Sequence, residues 1–368
     1  MPKRVYLDHN ATAPLRPDVI AEMTAAMRRV GNPSSVHWAG RAARRLVEDA
    51  RCAVARLAGV APDAVVFTSG GTEANNLALR GCGRQTALVS AIEHESVLSA
   101  ADNPIRIAVT QGGQLDRLDL ESQLDQVEAS HAVVSIMAAN NETGVVQPVA
   151  AAAEIARARG ALVHCDAVQA AGRLELAPLS DAVDMLTLSA HNIGGPPGSG
   201  ALILREGTPI TAQIRGGGQE RGRRAGTENV PGIVGFGVAA RLAAEEMARF
   251  QAVAGLRDRL EAAAARRGAV VFGQEHPRLS NTVCLAMPDV PSETQIMSLD
   301  LAGIAVSAGA ACSSGKVQRS HVLTAMGVSP DLASCAIRVS MGVETTEQDV
   351  DLFLEAWTAL SERMGAAA

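Results

Sequence analysis

The chain contains 368 residues, of which 47% are hydrophobic and 20% are charged, and its formal net charge at pH 7 is −6. This composition is typical of a globular protein with a substantial core, and it excludes an intrinsically disordered chain. The acidic balance and the scarcity of aromatic residues, 2% of the total, argue against nucleic acid as a partner. Nucleic-acid sites are basic and often stack bases on aromatic rings.

Hydropathy and cysteine usage indicate the cellular setting. No apolar run approaches the length of about 18 residues that a membrane helix needs, and the N-terminus has no secretory signal pattern. The six cysteines form neither a CxxC pair nor a zinc-binding spacing. We therefore expect no membrane partner, a cytoplasmic location and reduced thiols. Five cysteines have apolar neighbours and are predicted to lie in the core: Cys52, Cys82, Cys165, Cys284 and Cys335.

Strand-like and helical segments alternate along the first 230 or so residues. A helix is predicted over 41–57, where apolar side chains recur at helical spacing, and another over 149–159. Strand-like apolar runs occupy residues 64–68, 87–91, 132–137, 161–165, 185–189 and 201–204. This alternation predicts an α/β fold with a mainly parallel sheet that helices cover on both faces. In such sheets, ligands bind beyond the carboxyl ends of the strands.

The character of the chain changes after Pro231. Residues 233–267 are rich in alanine and predict two helices with a break near Gly255, and a closing helix is predicted over 345–364. We place a boundary near residue 250, between a large domain over 1–250 and a smaller α+β domain over 251–368. The extreme N-terminus is expected to pack with the smaller domain.

Several polar motifs follow predicted strands. Ser69-Gly70-Gly71-Thr72 joins a strand to a helix, so backbone N–H groups and the Thr72 hydroxyl could bind a phosphate, although a plain helix cap is the alternative. Asp166 ends another strand, with Gln169 three residues later. A carboxylate there could keep a pyridine nitrogen protonated, or it could simply cap a helix.

Ser189 and His191 close the run MLTLSAH. Alternate residues of an extended strand share a face, so both side chains could bind one phosphate, although a buried histidine is often structural. His94, in AIEHES, could stack on a flat ring and exchange protons. In Asn140-Asn141-Glu142, turn chemistry predicts a structural role for at least one asparagine, and the other could bond a phenolic oxygen.

Two further residues suggest substrate chemistry. Cys312 lies among glycine, serine and alanine in VSAGAACSSGK, which predicts an exposed loop and a reactive thiol. Arg338, in CAIRVSMG, could bind an α-carboxylate through two hydrogen bonds, although a surface ion pair is the alternative for an isolated arginine.

In order and spacing, the motifs resemble those of the cysteine desulfurases, the NifS/IscS-like group of fold-type I pyridoxal phosphate enzymes. The resemblance extends over nearly the whole chain. It rests on YLDHNATAPLRP, GNPSSVHWAGR, FTSGGTEANNLAL, EHESVL, NNETGVVQP, HCDAVQ, SAHNIGGPPGSG, GGGQERGRRAGTENV, GAACSSG and IRVSMG.

The resemblance implies a large domain built on a seven-stranded, mainly parallel sheet, with a smaller α+β C-terminal domain. It also implies a homodimer that uses pyridoxal 5'-phosphate to convert L-cysteine to L-alanine and a persulfide on Cys312. The sulfur then passes to an iron–sulfur scaffold or another acceptor protein. A selenocysteine lyase or another fold-type I activity is the alternative among enzymes.

The family also implies a role for each matching residue. His94 stacks on the cofactor ring and is catalytic, Asp166 pairs with the ring nitrogen, and Arg338 binds the substrate carboxylate. Asn141 and Gln169 bond the phenolic oxygen. The phosphate is held by Gly71, Thr72, Ser189 and His191, together with Thr227 of the second subunit.

The chain departs from the family at Asn192, where the family has its Schiff-base lysine. An amide nitrogen is not nucleophilic and binds no proton near neutral pH, and the only lysines in the chain are Lys3 and Lys316. Three explanations stay open. The chain is a lysine-to-asparagine variant of a working desulfurase with impaired activity, a member that binds the cofactor without a covalent bond, or a homologue that binds cofactor and partner without catalysis.

Overall fold

The computed structural model of the chain describes residues 4–308 and 319–365. These residues form thirteen strands: β1 (Val5–Tyr6), β2 (Val65–Thr68), β3 (Thr86–Ser90), β4 (Ile105–Ile107), β5 (Ala132–Ser135), β6 (Leu162–Asp166), β7 (Met185–Ser189), β8 (Gly200–Leu204), β9 (Val270–Phe272), β10 (Thr282–Ala286), β11 (Ile304–Ala305), β12 (Ser307–Ala308) and β13 (Ala336–Ser340).

The same residues form fourteen α-helices: α1 (Pro17–Met27), α2 (Trp38–Ala58), α3 (Gly71–Gly81), α4 (Glu95–Leu98), α5 (Arg117–Asp125), α6 (Val149–Ala158), α7 (Ala177–Ala182), α8 (Val230–Glu245), α9 (Met247–Ala252), α10 (Ala254–Ala265), α11 (Ser292–Leu301), α12 (His321–Ala325), α13 (Pro330–Ser334) and α14 (Glu347–Gly365). None of these described helices combines the length and the apolar character that crossing a membrane demands.

The main sheet has seven strands in the order β2-β8-β7-β6-β5-β3-β4. Neighbouring strands from β7 to β4 run parallel, and β8 is antiparallel to both β7 and β2. Both faces are covered. Val65 and Phe67 of β2 pack in the core cluster that includes α2 and α8, whereas Val66 packs with Leu77 of α3. The predicted α/β fold with a mainly parallel seven-stranded sheet is therefore confirmed.

The C-terminal part contains a second sheet and a second core cluster. Its four strands follow the order β12-β13-β10-β9 and pair antiparallel. The N-terminal strand β1 pairs with β11, and Leu7 packs in this cluster with Phe353 and Trp357. Residues 5–7 thus lie with the C-terminal sheet. The position of a domain boundary near residue 250 stays a prediction.

Two details of the sequence interpretation were wrong. Residues 230–265 form three helices, not two: the predicted break near Gly255 is present two residues earlier, at Val253, and a further break lies at Glu246. The chain turns at Glu246, whose carboxylate bonds Arg16, and again at the buried Val253.

Cys52, predicted to lie in the core, is exposed. The buried face of α2 carries Ala50 and Val54, and two residues along a helix turn the side chain to the opposite face. The other four cysteines of that group are buried, as predicted.

Candidate active site

The carboxyl ends of the central strands and the start of α3 meet at one edge of the main sheet. Asp166 ends β6 and pairs in register with Thr187 of the neighbouring β7, which ends at Ser189. A Cβ atom placed on Gly71, the first residue of α3, would lie 3.7 Å from the Cβ of Ser189. The structure therefore brings together Gly71, Asp166 and Ser189, which are far apart in the sequence.

The turn before α3 leaves backbone N–H groups open. Gly70 precedes the helix with φ 153° and gives it no side-chain cap, and Thr72 is exposed. Gly200 of β8 approaches so closely that a Cβ atom on it would lie 2.6 Å from the Cα of Gly70. The Ser189 hydroxyl is buried and has no hydrogen-bond partner among the described residues. Open N–H groups at a helix N-terminus beside a free hydroxyl form a site for an anion such as a phosphate.

Asp166 is buried and held in one orientation. Its Oδ2 accepts a hydrogen bond of 2.8 Å from Nδ2 of Asn75, and its Oδ1 accepts one of 3.0 Å from the backbone N–H of Val168. An ionised carboxylate has about four acceptor positions, so it can also receive a cationic ring N–H. Asn75 lies in α3 one helical turn after Gly71 and was not among the predicted site residues.

A second chain of hydrogen bonds connects His94 to Asp166. His94 precedes α4, and its Nδ1 lies 2.8 Å from Oγ of Ser96, which in turn accepts a hydrogen bond of 2.9 Å from Nδ2 of Asn75. The imidazole of His94 is exposed, so it has room to stack on a ring above the strand ends. Asn75 thus donates hydrogen bonds both to the Asp166 carboxylate and to Ser96, the residue that contacts the His94 imidazole.

His191 follows β7 and does not lie on a strand. Strand β7 ends at Ser189, Ala190 has helical backbone angles, and residues His191–Ile193 form a short 3-10 helix. The predicted shared face of Ser189 and His191 on an extended strand was therefore wrong. Burial lowers the pKa of His191, and the charge of His94 lowers it further.

Asn10 accepts hydrogen bonds from two amide side chains of the site, those of Gln169 and Asn192. Its backbone carbonyl accepts hydrogen bonds from Nε2 of Gln169 at 3.0 Å and from Nδ2 of Asn192 at 3.3 Å. Its Oδ1 accepts one of 2.9 Å from Arg173, which also donates to Oε1 of Gln169. Burial and the positive charge of Arg338 lower the pKa of Arg173 to about 9. Asn10 belongs to the segment YLDHNATAPLRP but was not among the predicted site residues.

Arg338 lies on β13 at the same site. One terminal nitrogen donates a hydrogen bond of 2.7 Å to Asp8, the other donates one of 3.1 Å to the carbonyl of Asn141, and its Nε has no partner among the described residues. The guanidinium is buried, so the alternative of a surface ion pair was wrong. Asn140 is the structural asparagine of the turn, since its Oδ1 accepts hydrogen bonds of 2.9 and 3.0 Å from the next backbone N–H groups.

Thr227 is exposed and lines a cavity of about 220 Å³ with Thr68 and Ser69, the residues that precede the open turn of α3. Its loop is attached to the same region by two ion pairs: Arg51 with Glu220, and Arg224 with Glu73. Cys312, Lys316 and Lys3 lie outside the described residues.

His164, on β6 beside the site, predicts an acid-sensitive fold. It is fully buried between Oγ of Ser135 at 2.8 Å and Oγ1 of Thr187 at 3.0 Å, and burial lowers its pKa to about 4. In the unfolded chain this histidine has a pKa of about 6.5, so below that pH it is protonated there while it stays neutral in the folded chain. The free energy of unfolding therefore falls as the pH falls towards 4. We expect His164 to remove about 2 kcal/mol of unfolding free energy between pH 7 and pH 5.

Urea unfolding of the protein and of His164→Gln at pH 7 and pH 5 measures this contribution. The variant is expected to lose about 2 kcal/mol less than the unchanged protein over this interval. His131→Gln, which changes an exposed histidine, is the control and should leave the pH dependence unaltered. An equal loss in the unchanged protein and in His164→Gln would contradict the prediction.

The chain is similar to known proteins over nearly its whole length. The aminotransferase class-V family model matches residues 5–353. A cysteine desulfurase of Cereibacter sphaeroides is 44% identical, covering 99% of this chain and 97% of its own length. A cysteine desulfurase of Bradyrhizobium diazoefficiens is 43% identical, covering 99% of this chain and 96% of its own length.

Solved structures give the same result. The X-ray structure of a NifS-like protein from Rickettsia africae superposes with a TM-score of 0.91 at 35% identity, covering 98% of this chain and 100% of that one. The crystal structure of DndA from Streptomyces lividans superposes with a TM-score of 0.75, also at 35% identity, over 89% and 96% of the two chains.

Proposed function

The chain belongs to the NifS-like cysteine desulfurases of the aminotransferase class-V family, and we propose that it binds pyridoxal 5'-phosphate and acts on L-cysteine at the site described above. One observation carries the proposal. The buried carboxylate of Asp166 and the free hydroxyl of Ser189 lie with the open N-terminus of α3 at the carboxyl edge of the sheet.

The residues present fit the phosphate and the ring nitrogen of this cofactor. The Ser189 hydroxyl and the first N–H groups of α3, at Gly71 and Thr72, would hold the phosphate, with His191 beside them. Asp166 would keep the ring nitrogen protonated, since a buried carboxylate that is already oriented by two donors still has acceptor positions free. When bound, the cofactor supplies an electron sink for negative charge at the substrate α-carbon.

The remaining residues would bind and orient the ring and the substrate. His94 would pack over the ring. The side-chain amides of Asn141 and Gln169 would form hydrogen bonds with the phenolic oxygen of the ring. Arg338 would bind the substrate carboxylate, which its unpartnered Nε supports. Cys312 would take the sulfur of L-cysteine as a persulfide and leave L-alanine.

We further propose a cytoplasmic homodimer that passes sulfur to an iron–sulfur scaffold or another acceptor protein. The exposed Thr227, beside the turn that precedes α3, supports a contribution from this loop to a phosphate site in a second copy. Asn192 cannot bond covalently to the cofactor, so we propose that the pocket holds the cofactor by noncovalent contacts and that the step needing a base is slow.

Asp166→Ala tests the cofactor site. We expect the dissociation constant for pyridoxal 5'-phosphate to rise about 10–100-fold, because a hydrogen bond to a charged group contributes about 1.5–3 kcal/mol. Equilibrium dialysis, followed by the visible absorbance of the bound cofactor, measures the change. Asp166→Asn keeps the shape without the charge, and it should also bind more weakly. Unchanged affinity in both variants would contradict the proposed site.

A further inference from the structure

The side-chain oxygen of Asn192, Oδ1, accepts no hydrogen bond from the described residues. The side chain is 5% exposed, and its Oδ1 has no hydrogen-bond partner in the part of the chain that the structure describes. Buried amide oxygens are normally paired, so an orphan of this kind at the edge of a binding site points to a missing ligand group. The group that completes it must donate a hydrogen bond.

The orientation of this amide follows from its neighbours. Nδ2 of Asn192 donates to the backbone carbonyl of Asn10, which also accepts from Gln169. Turning the amide over would set Oδ1 against the Asn10 carbonyl, and two acceptors cannot bond to each other. The free oxygen therefore lies on the side of the amide that points away from Asn10.

The two forms of vitamin B6 phosphate differ in the group that neighbours position 192 in this family. Pyridoxal 5'-phosphate has an aldehyde oxygen there, which only accepts hydrogen bonds, whereas pyridoxamine 5'-phosphate has an amine, which donates them. A lysine at position 192 favours the aldehyde, because it bonds to it covalently. Asparagine cannot form that bond. Its Nδ2 has a second N–H that an aldehyde oxygen could accept, but only the amine can donate to the buried Oδ1, the atom that has no partner among the described residues.

We propose that Asn192 makes this site selective for the amine form of the cofactor, pyridoxamine 5'-phosphate, over the aldehyde form. The inference rests on the proposed function, since it takes the cofactor site as given. It assigns Asn192 a positive role in choosing the ligand and explains why its buried oxygen is left unpaired by the protein.

Titration of the cofactor-free protein with each vitamer, by isothermal calorimetry, tests this selectivity. We expect pyridoxamine 5'-phosphate to bind about tenfold more tightly than pyridoxal 5'-phosphate, which is the effect of satisfying one buried acceptor. Asn192→Leu removes the acceptor and should bring the ratio of the two dissociation constants close to one. If leucine disturbs the packing, Asn192→Val serves instead, and its ratio of dissociation constants should also be close to one.

Ser189→Ala is the matched control. It removes a contact to the phosphate, which the two vitamers share, so it should weaken both by the same factor and preserve their ratio. Equal affinities in the unchanged protein overturn the selectivity and leave the proposed cofactor site intact. Failure to bind either vitamer overturns the proposed function as well.

Discussion

Replacing Asn192 with lysine is expected to raise sulfide release from L-cysteine about 10²–10⁴-fold, the usual contribution of a positioned general acid or base. Lysine adds a nucleophilic amine that can exchange a proton with the substrate α-carbon, and an amide can do neither. The other groups of the site, among them Asp166 and Arg338, are already buried and oriented for their proposed roles. Sulfide measured in the presence of a thiol reductant gives the rate.

Two controls make this result specific. Asn192→Arg adds a long cationic side chain that keeps its proton in proteins, so it should give no gain. Adding Cys312→Ser to the Asn192→Lys variant should abolish the gain, because the thiol takes the sulfur. A gain that survives this second change would favour another fold-type I activity. An unchanged rate in Asn192→Lys would falsify the idea that this position limits the reaction.

The buried ion pair between Arg51 and Glu220 yields the largest expected effect on stability. Both terminal nitrogens of Arg51 donate to the Glu220 carboxylate at 2.8 Å, and the same carboxylate accepts a hydrogen bond of 2.9 Å from the backbone N–H of Phe67. Arg51→Met leaves the carboxylate buried without its cation. We expect a loss of about 3–5 kcal/mol in the free energy of unfolding.

Urea unfolding measures this loss, and an exposed pair supplies the control. Arg241 and Glu245 are one helical turn apart on α8 and half exposed, so Glu245→Gln should cost less than about 0.5 kcal/mol. Similar small effects of Arg51→Met and Glu245→Gln would show that burial adds nothing to the first pair. Glu220 lies in the loop that leads to Thr227, so a weaker pair should also loosen the contact of that loop with β2.

The main sheet and the positions of Asp166 and Ser189 could be predicted from local sequence. Short apolar runs that alternate with helical segments indicate parallel strands. The polar residue that ends each run therefore lies at the carboxyl edge of the sheet, where ligands bind, and this does not depend on the conformation of the connecting loops. The boundaries of α2 were predicted to within a few residues at each end, because Gly59 ends the helix in the left-handed conformation.

Other features depend on contacts between distant parts of the chain. Asn10 bonds Asn141, Gln169 and Asn281, at sequence separations of 131, 159 and 271 residues, and no local pattern indicates such partners. His191 leaves the strand because of the backbone turn at Ala190, which the run MLTLSAH does not reveal. The exposure of Cys52 follows from which face of α2 is covered, and its apolar neighbours along the chain gave the opposite expectation.

The attachments of Asn10 have a consequence for biosynthesis. Its backbone N–H bonds Ser340 and its Nδ2 bonds Thr282, both of them contributed by the C-terminal sheet. A nascent polypeptide that has emerged from the ribosome only as far as the main sheet already contains Asp166, Ser189 and the Asn10 partners Gln169 and Arg173. It still lacks the contacts of Asn10 with Thr282 and Ser340. We therefore expect the Asn10 carbonyl, which supports the Asn192 amide, to be held in its final position only after the C-terminal sheet has been made.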